Sequence, residues 1–184
     1  MARFLIIYGT TEGHTGRIAT HLGEYLQTAG HDAVLVDTSE VPGDLTLTYD
    51  GYIVAGSLHQ GKHQDALIEF VKVHGKELHP AAFLSVSLTA VIKDAQHTAE
   101  AARCMAAFYE QTQWMPDRAT PVAGALLYTK YDFLKRMLMR MISKKEGGDV
   151  DTSRDHEYTD WAALDAFVMD FVRTKLLVPL RTGL

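Results

Sequence analysis

Phe4-Leu5-Ile6-Ile7-Tyr8 runs directly into Gly9-Thr10-Thr11-Glu12-Gly13-His14-Thr15, and behind that loop Ile18, Leu22, Tyr25, Leu26 and Ala29 recur at helical spacing before Gly30. The unbroken apolar run reads as a strand of a parallel sheet buried on both faces, and the amphipathic stretch reads as a helix stopped by glycine. Gly9 lets the chain leave the strand sharply, Gly13 permits close backbone approach, and Thr10, Thr11 and Thr15 bring hydroxyls to a helix N-terminus. That chemistry suits a phosphate. No Gly-Lys-Ser/Thr and no three-glycine fingerprint is present, so a terminal monophosphate fits better than a pyrophosphate. Taken alone, the heptapeptide also reads as an N-capping turn that happens to contain threonines.

Outward from this unit the pattern repeats. Further strands are predicted at residues 33–36, 52–55 (closed by Gly56), 82–88 and 120–127, the second and third being internal in character. Helices are predicted around Leu67, Phe70 and Val71, and over residues 98–111 with Ala101, Ala102, Met105, Phe108 and Tyr109 on the inner side. A last helix carries Trp161, Leu164, Phe167, Val168, Phe171 and Val172 on one face after Thr159 or Asp160 as N-cap. Such alternation predicts an α/β fold, an open parallel sheet with right-handed crossovers whose ligands bind at the carboxyl ends of the strands. The first loop then converges there with two turn-rich segments, Gly56 through His63 and Ser87-Leu88-Thr89-Ala90.

Composition agrees with one domain spanning residues 1–184: 47% of residues are hydrophobic, 22% are charged, and the formal net charge is −5. That balance argues against a nucleic-acid binder. The single cysteine, Cys104, excludes an internal disulfide framework, fits a reducing cytosol, and reads as a small core residue. The apolar start is too short for a signal peptide, and no stretch approaches the roughly 20 residues needed to span a bilayer, so any membrane contact is expected to be peripheral. His59 and His63 lie four apart, but no carboxylate or cysteine nearby completes a metal set.

About thirty residues, 128–158, separate the fifth strand from the last helix, far above ordinary loop length. Within them Leu134, Met137, Leu138, Met141 and Ile142 form one stripe, with Lys135, Arg136, Arg140 and Ser143 largely opposite. Residues 128–145 hold six Lys or Arg and one Asp, a concentration of positive charge in an acidic protein. Such a basic amphipathic helix can lie on an anionic membrane or adapt its methionines to a flat ligand; it can equally pack on its own domain with the basic face solvated.

On its three converging loops, and over essentially its whole length, the chain resembles the flavodoxin family. The resemblance implies a doubly wound five-stranded parallel sheet and an FMN cofactor. In it Thr10, Thr11, Glu12, Gly13, His14 and Thr15 hold the phosphate. Ser57, Leu58, His59, Gln60, Gly61 and Lys62, with Ser87, Leu88, Thr89 and Ala90, hold the isoalloxazine. Two further stretches, residues 113–118 with 122–126 and residues 147–152 with 158–161, look like the menaquinone-dependent, flavodoxin-type protoporphyrinogen IX dehydrogenases of bacterial haem synthesis.

That likeness implies FMN as the redox centre, protoporphyrinogen IX as donor and menaquinone as acceptor, with no catalytic side chain named. The protein is then expected in the cytoplasm, peripheral on the inner membrane, with Leu134, Lys135, Arg136, Met137, Leu138, Arg140 and Met141 contacting membrane or quinone. Related dehydrogenases tend to carry a tyrosine after the third strand where this chain has Gln60, which puts aromatic stacking on the flavin from that position in question. An electron carrier between proteins, a quinone reductase with another donor and a flavin-free binding module stay open on the same fold.

Overall fold

The structure, a computed structural model, describes residues 1–126 and 156–176. Its frame is a parallel sheet of β1 (Arg3–Gly9), β2 (Asp32–Asp37), β3 (Gly51–His59), β5 (Ala81–Ser87) and β6 (Arg118–Ala123), in spatial order β2-β1-β3-β5-β6. A short antiparallel β4 (Lys62–His63) turns back on the end of β3. Helices α1 (His14–Thr28), α2 (Asp65–His74) and α3 (Ala95–Thr112) lie in the crossovers between strands, and α4 (Trp161–Leu176) follows the last of them. The expected doubly wound five-stranded α/β sheet is what the chain forms.

Each sheet face has its own core. Phe4 and Ile6 of β1 point to one side, where Ile18 and Leu22 of α1 meet Leu164, Val168 and Phe171 of α4. Leu5 and Ile7 point to the other, against Leu67, Phe70 and Val71 of α2 and Phe108 of α3. The alternation along one buried strand thus feeds both layers, and each fully buried branched or aromatic side chain is worth roughly 1.5–3 kcal/mol. Trp114 lies in the second core, edge-on to Phe83 and Phe108, with its indole N–H donated to the Leu78 carbonyl at 3.3 Å.

The helix ends follow local chemistry. Gly30 sits at φ 84° just past α1, its N–H donating to the Gln27 carbonyl and that of His31 to the Leu26 carbonyl, a paired closure that needs a left-handed residue. Asp160 caps α4, its Oδ1 accepting from the Ala163 N–H at 3.0 Å, and Asp94 caps α3 by accepting from the His97 N–H at 2.8 Å.

Several expectations are corrected. The second strand is an edge, not an internal strand, and Val34 and Leu35 are exposed along it. The third runs through Gly56 to His59, because Gln60 (φ 50°) and Gly61 (φ 79°) both take left-handed conformations and fold a two-residue hairpin. The predicted fifth strand ends at Ala123. The Gly124 N–H makes the last rung of the ladder, to the Ser87 carbonyl, and Ala125–Leu126 then leaves to form β7, paired with β8 (His156–Glu157). Leu88 leads into a 3-10 turn (Thr89–Val91), and Ala102 is exposed, not on the inner side of α3. The predicted amphipathic helix, with Leu134, Lys135, Arg136, Met137, Leu138, Arg140 and Met141, lies outside the described residues.

Candidate functional site

Register sets where the site forms. Gly9 pairs with Gly56 and Gly56 with Ser85, while Ser57, Val86 and Val122 are level one residue on. The carboxyl ends of β1, β3, β5 and β6 therefore open along one edge, beside the point where the chain order reverses around β1. A cavity of about 410 Å³ lies there. Glycine is required at 56: a Cβ would stand 2.6 Å from Leu67 Cδ2 and 2.9 Å from His63 Cδ2, so the start of α2 packs hard against the strand ends.

Of the residues expected in the cofactor loops, Thr10, Thr11, Glu12, His14 and Thr15 line the cavity from the β1–α1 loop. Ser57, Leu58, His59, Gln60 and Gly61 line it from the hairpin, and Ser87, Leu88 and Thr89 from the end of β5. Gly13, Lys62 and Ala90 stand behind this lining: Gly13 shapes the loop, Lys62 pairs with His59 across the hairpin, and the Ala90 N–H donates to Ser87 Oγ at 3.2 Å. Gln60 sits exposed at the hairpin tip. No Phe, Tyr or Trp is among the described residues of the lining.

The start of α1 differs from the other three helix starts. Its N-cap, Gly13, has φ 94° and no side-chain cap, and its first turn contains no acid. By contrast α3 and α4 carry aspartate caps, and α2 has Asp65 in its first turn. The Gly13 N–H donates to Thr10 Oγ1 at 2.9 Å, which draws the loop into a compact turn. The orphan N–H groups that follow are left for a ligand, and the helix dipole favours an anion.

Two buried side chains point the same way. Thr15 is 1% exposed and its Oγ1 has no partner among the described residues; His14 is 6% exposed and its Nδ1 has none either. Leaving such atoms unpaired costs about 1–3 kcal/mol each, a cost that a bound ligand can remove at Thr15 by accepting from its hydroxyl. A phosphate monoester, with only acceptor oxygens when fully ionised, suits the hydroxyl and backbone donors of this helix start.

The imidazole of His14 is held from behind. Its Nε2 lies 2.8 Å from Thr159 Oγ1, and Thr159 donates its own proton to the Ala123 carbonyl at 2.7 Å. The hydroxyl must therefore accept from Nε2–H, which leaves Nδ1 as the bare nitrogen of the neutral ring. Burial lowers the His14 pKa; Glu157 opposes the shift and Arg17 adds to it.

Two features of the site were not foreseen. Gln64, at the start of α2, donates through Nε2 to Thr11 Oγ1 at 2.9 Å and to Ser57 Oγ, tying the first loop to the hairpin. On α3, His97, Glu100 and Cys104 form a polar wall of the cavity, with His97 Nδ1 2.7 Å from Asp94 Oδ1. Their spacing of three and four is a helical face that hydrophobic periodicity passes over. Cys104 is accordingly a half-buried cavity residue instead of a core one, and its thiol pKa is raised by burial, with Glu100 adding and Arg103 opposing. His63 belongs elsewhere: it is packed against Phe83 and Phe108, with Nε2 3.0 Å from Ser85 Oγ.

Comparison with known proteins converges on the same architecture. The profile of a family described as Flavodoxin domain matches residues 5–153. A protoporphyrinogen IX dehydrogenase (quinone) of Leishmania major is 36% identical over 182 residues, covering 96% of this chain and 78% of that one. The protein of that name from Escherichia coli (strain K12) is 33% identical over 168 residues, covering 90% and 92%. Among solved structures, a short-chain flavodoxin associated with a PDU bacterial microcompartment superposes with a TM-score of 0.55 at 10% identity, covering 95% of this chain and 99% of that one, a likeness of fold alone.

Proposed function

The chain belongs to the flavodoxin family, in the group of quinone-linked protoporphyrinogen IX dehydrogenases, and from that premise we propose that residues 1–184 act as one FMN-dependent domain that oxidises protoporphyrinogen IX to protoporphyrin IX with menaquinone as acceptor. The observation that carries this reading is the uncapped start of α1, where Thr15 Oγ1 and His14 Nδ1 are buried without partners beside the cavity. Identity of 33–36% to proteins named for the reaction supports the donor and the class of acceptor.

In this reading the loop of Thr10, Thr11, Glu12, Gly13, His14 and Thr15 holds the FMN phosphate. Ser57 through Lys62 and Ser87 through Ala90 hold the ring. FMN, when bound, supplies the electron chemistry, taking hydride equivalents from the donor and passing electrons to the quinone. The protein's part is position and electrostatics. Gln64 fixes the first loop against the hairpin, while among the described residues the hairpin and the wall of α3 bring no Phe, Tyr or Trp to the cavity.

No described helix is long and apolar enough to cross a membrane. The basic stretch around Leu134, Lys135, Arg136, Met137, Leu138, Arg140 and Met141 is the segment we assign to quinone and anionic-lipid contact, on a protein placed in the cytoplasm at the face of the inner membrane. Deleting residues 131–143 is expected to leave FMN bound and to abolish turnover with a membrane-borne quinone; unchanged turnover would remove that role.

The test of the reaction is anaerobic. Protoporphyrinogen IX is expected to bleach the bound flavin, and a menaquinone analogue to restore its absorbance. Flavin that stays oxidised with the porphyrinogen contradicts the assigned donor and points to an electron carrier.

A further inference from the structure

We propose that His14 binds the FMN phosphate as an imidazolium, its Nδ1 taking up one proton from solvent as the cofactor enters. This inference rests on the FMN reading above and adds to it a charged ligand and a proton that no loop motif specifies.

Charge balance is the first argument. The described lining of the cavity contains Glu12 and Glu100 but no Lys or Arg. A phosphate monoester is largely dianionic above its second pKa of about 6. With Glu12 and Glu100 in the same lining, a nearby positive charge would strengthen the hold of the helix start on a dianion, and the histidines of the lining are the described groups able to become one. His59 is exposed on the hairpin and His97 has Nδ1 on Asp94, whereas His14 belongs to the phosphate loop itself.

The hydrogen bonds supply the second argument. Thr159 is committed as a donor to the Ala123 carbonyl, so it holds His14 by accepting from Nε2–H. A proton added at Nδ1 leaves that bond intact and converts an orphan lone pair into a donor for a phosphate oxygen. The neutral ring presents the wrong partner, because a lone pair meets an acceptor-only anion. Protonation solves the mismatch without moving a side chain.

The charges acting on the ring, among the described residues, are Glu157 from β8 and Arg17 on the next turn of α1; Thr159 and Trp161, which touch the ring from the start of α4, are uncharged, and Asp160 between them turns its carboxylate to the Ala163 N–H. Arg17 and Glu157 are paired at 2.9 Å and largely offset one another. In the free protein burial keeps the ring neutral at pH 8, so an imidazolium in the complex requires a proton taken from solvent on binding. Linkage then makes the affinity for FMN tighten by up to about tenfold per pH unit lowered between pH 8.5 and 7.

Calorimetric titration of the apoprotein at pH 8, in two non-phosphate buffers of different ionisation enthalpy, reads the proton directly. Wild type is expected to take up about one proton per FMN and none with riboflavin, which lacks the phosphate. His14→Gln keeps an N–H for Thr159 and is expected to bind FMN without uptake. FMN binding to wild type with no uptake, or the same uptake in His14→Gln, overturns the inference alone. If His14→Gln does not fold, the wild-type pH dependence decides: equal slopes for FMN and riboflavin overturn the inference. Failure of FMN to bind at all overturns the cofactor reading beneath it.

Discussion

His14 at the start of α1 and His63 behind the β3–β4 hairpin are buried to nearly the same degree, and each sets one ring nitrogen on a hydroxyl, Thr159 at 2.8 Å and Ser85 at 3.0 Å. Burial lowers the pKa of both, that of His63 to about 4. Their surroundings differ. His63 is enclosed by Phe83 and Phe108 and helps close the second core, whereas His14 borders the cavity and carries a bare Nδ1 beside the unpartnered hydroxyl of Thr15. Burial alone therefore does not mark a functional histidine. An unpaired polar atom at an open, uncapped helix start does.

The largest expected effect lies on the structural side of this comparison. Because the folded protein refuses a proton at His63 that the unfolded chain accepts, stability is full above about pH 6.5 and falls as pH drops toward 4, by up to about 3 kcal/mol from this group. Urea unfolding at pH 7.5 and 4.5 measures it, and His63→Gln is expected to flatten the fall. An unaltered slope in that variant would break the comparison.

On the ligand side, Thr15→Val removes an unsatisfied hydroxyl while keeping its shape. FMN affinity is expected to drop roughly ten- to a hundredfold, with riboflavin affinity and the melting temperature of the apoprotein not lowered. A marked loss of apoprotein stability would mean that Thr15 is a structural residue like His63. The smallest effect sharpens the contrast between helix starts. Asp94→Ala, at the capped start of α3, is expected to cost about 1 kcal/mol in urea unfolding, a loss of stability that Thr15→Val does not show.

The unit from Phe4 to Gly30 was legible because three independent local signals agree: a fully apolar run, a Gly- and Thr-rich loop, and a helical stripe closed by glycine. The hairpin was not, since Gln60-Gly61 lacks the Asn-Gly or Asp-Gly signal for paired left-handed residues and the polar run around it reads equally as a loop. Nor was the wall of His97, Glu100 and Cys104, because its polar residues lie on a face that core periodicity ignores. The contact of His14 with Thr159 joins residues 145 apart in sequence, and no local pattern foretells it. The fifth strand ended early because Ala125 and Leu126 pair with Glu157 and His156, a tertiary choice over a local one.

The central claim is that the start of α1 is kept open for a monophosphate. Fluorescence titration of the apoprotein with FMN and with riboflavin, side by side at pH 7, tests it most directly. The account predicts one FMN per chain, bound at least about a hundredfold more tightly than riboflavin, as expected for several charge-assisted hydrogen bonds. Equal affinities for the two flavins would contradict it.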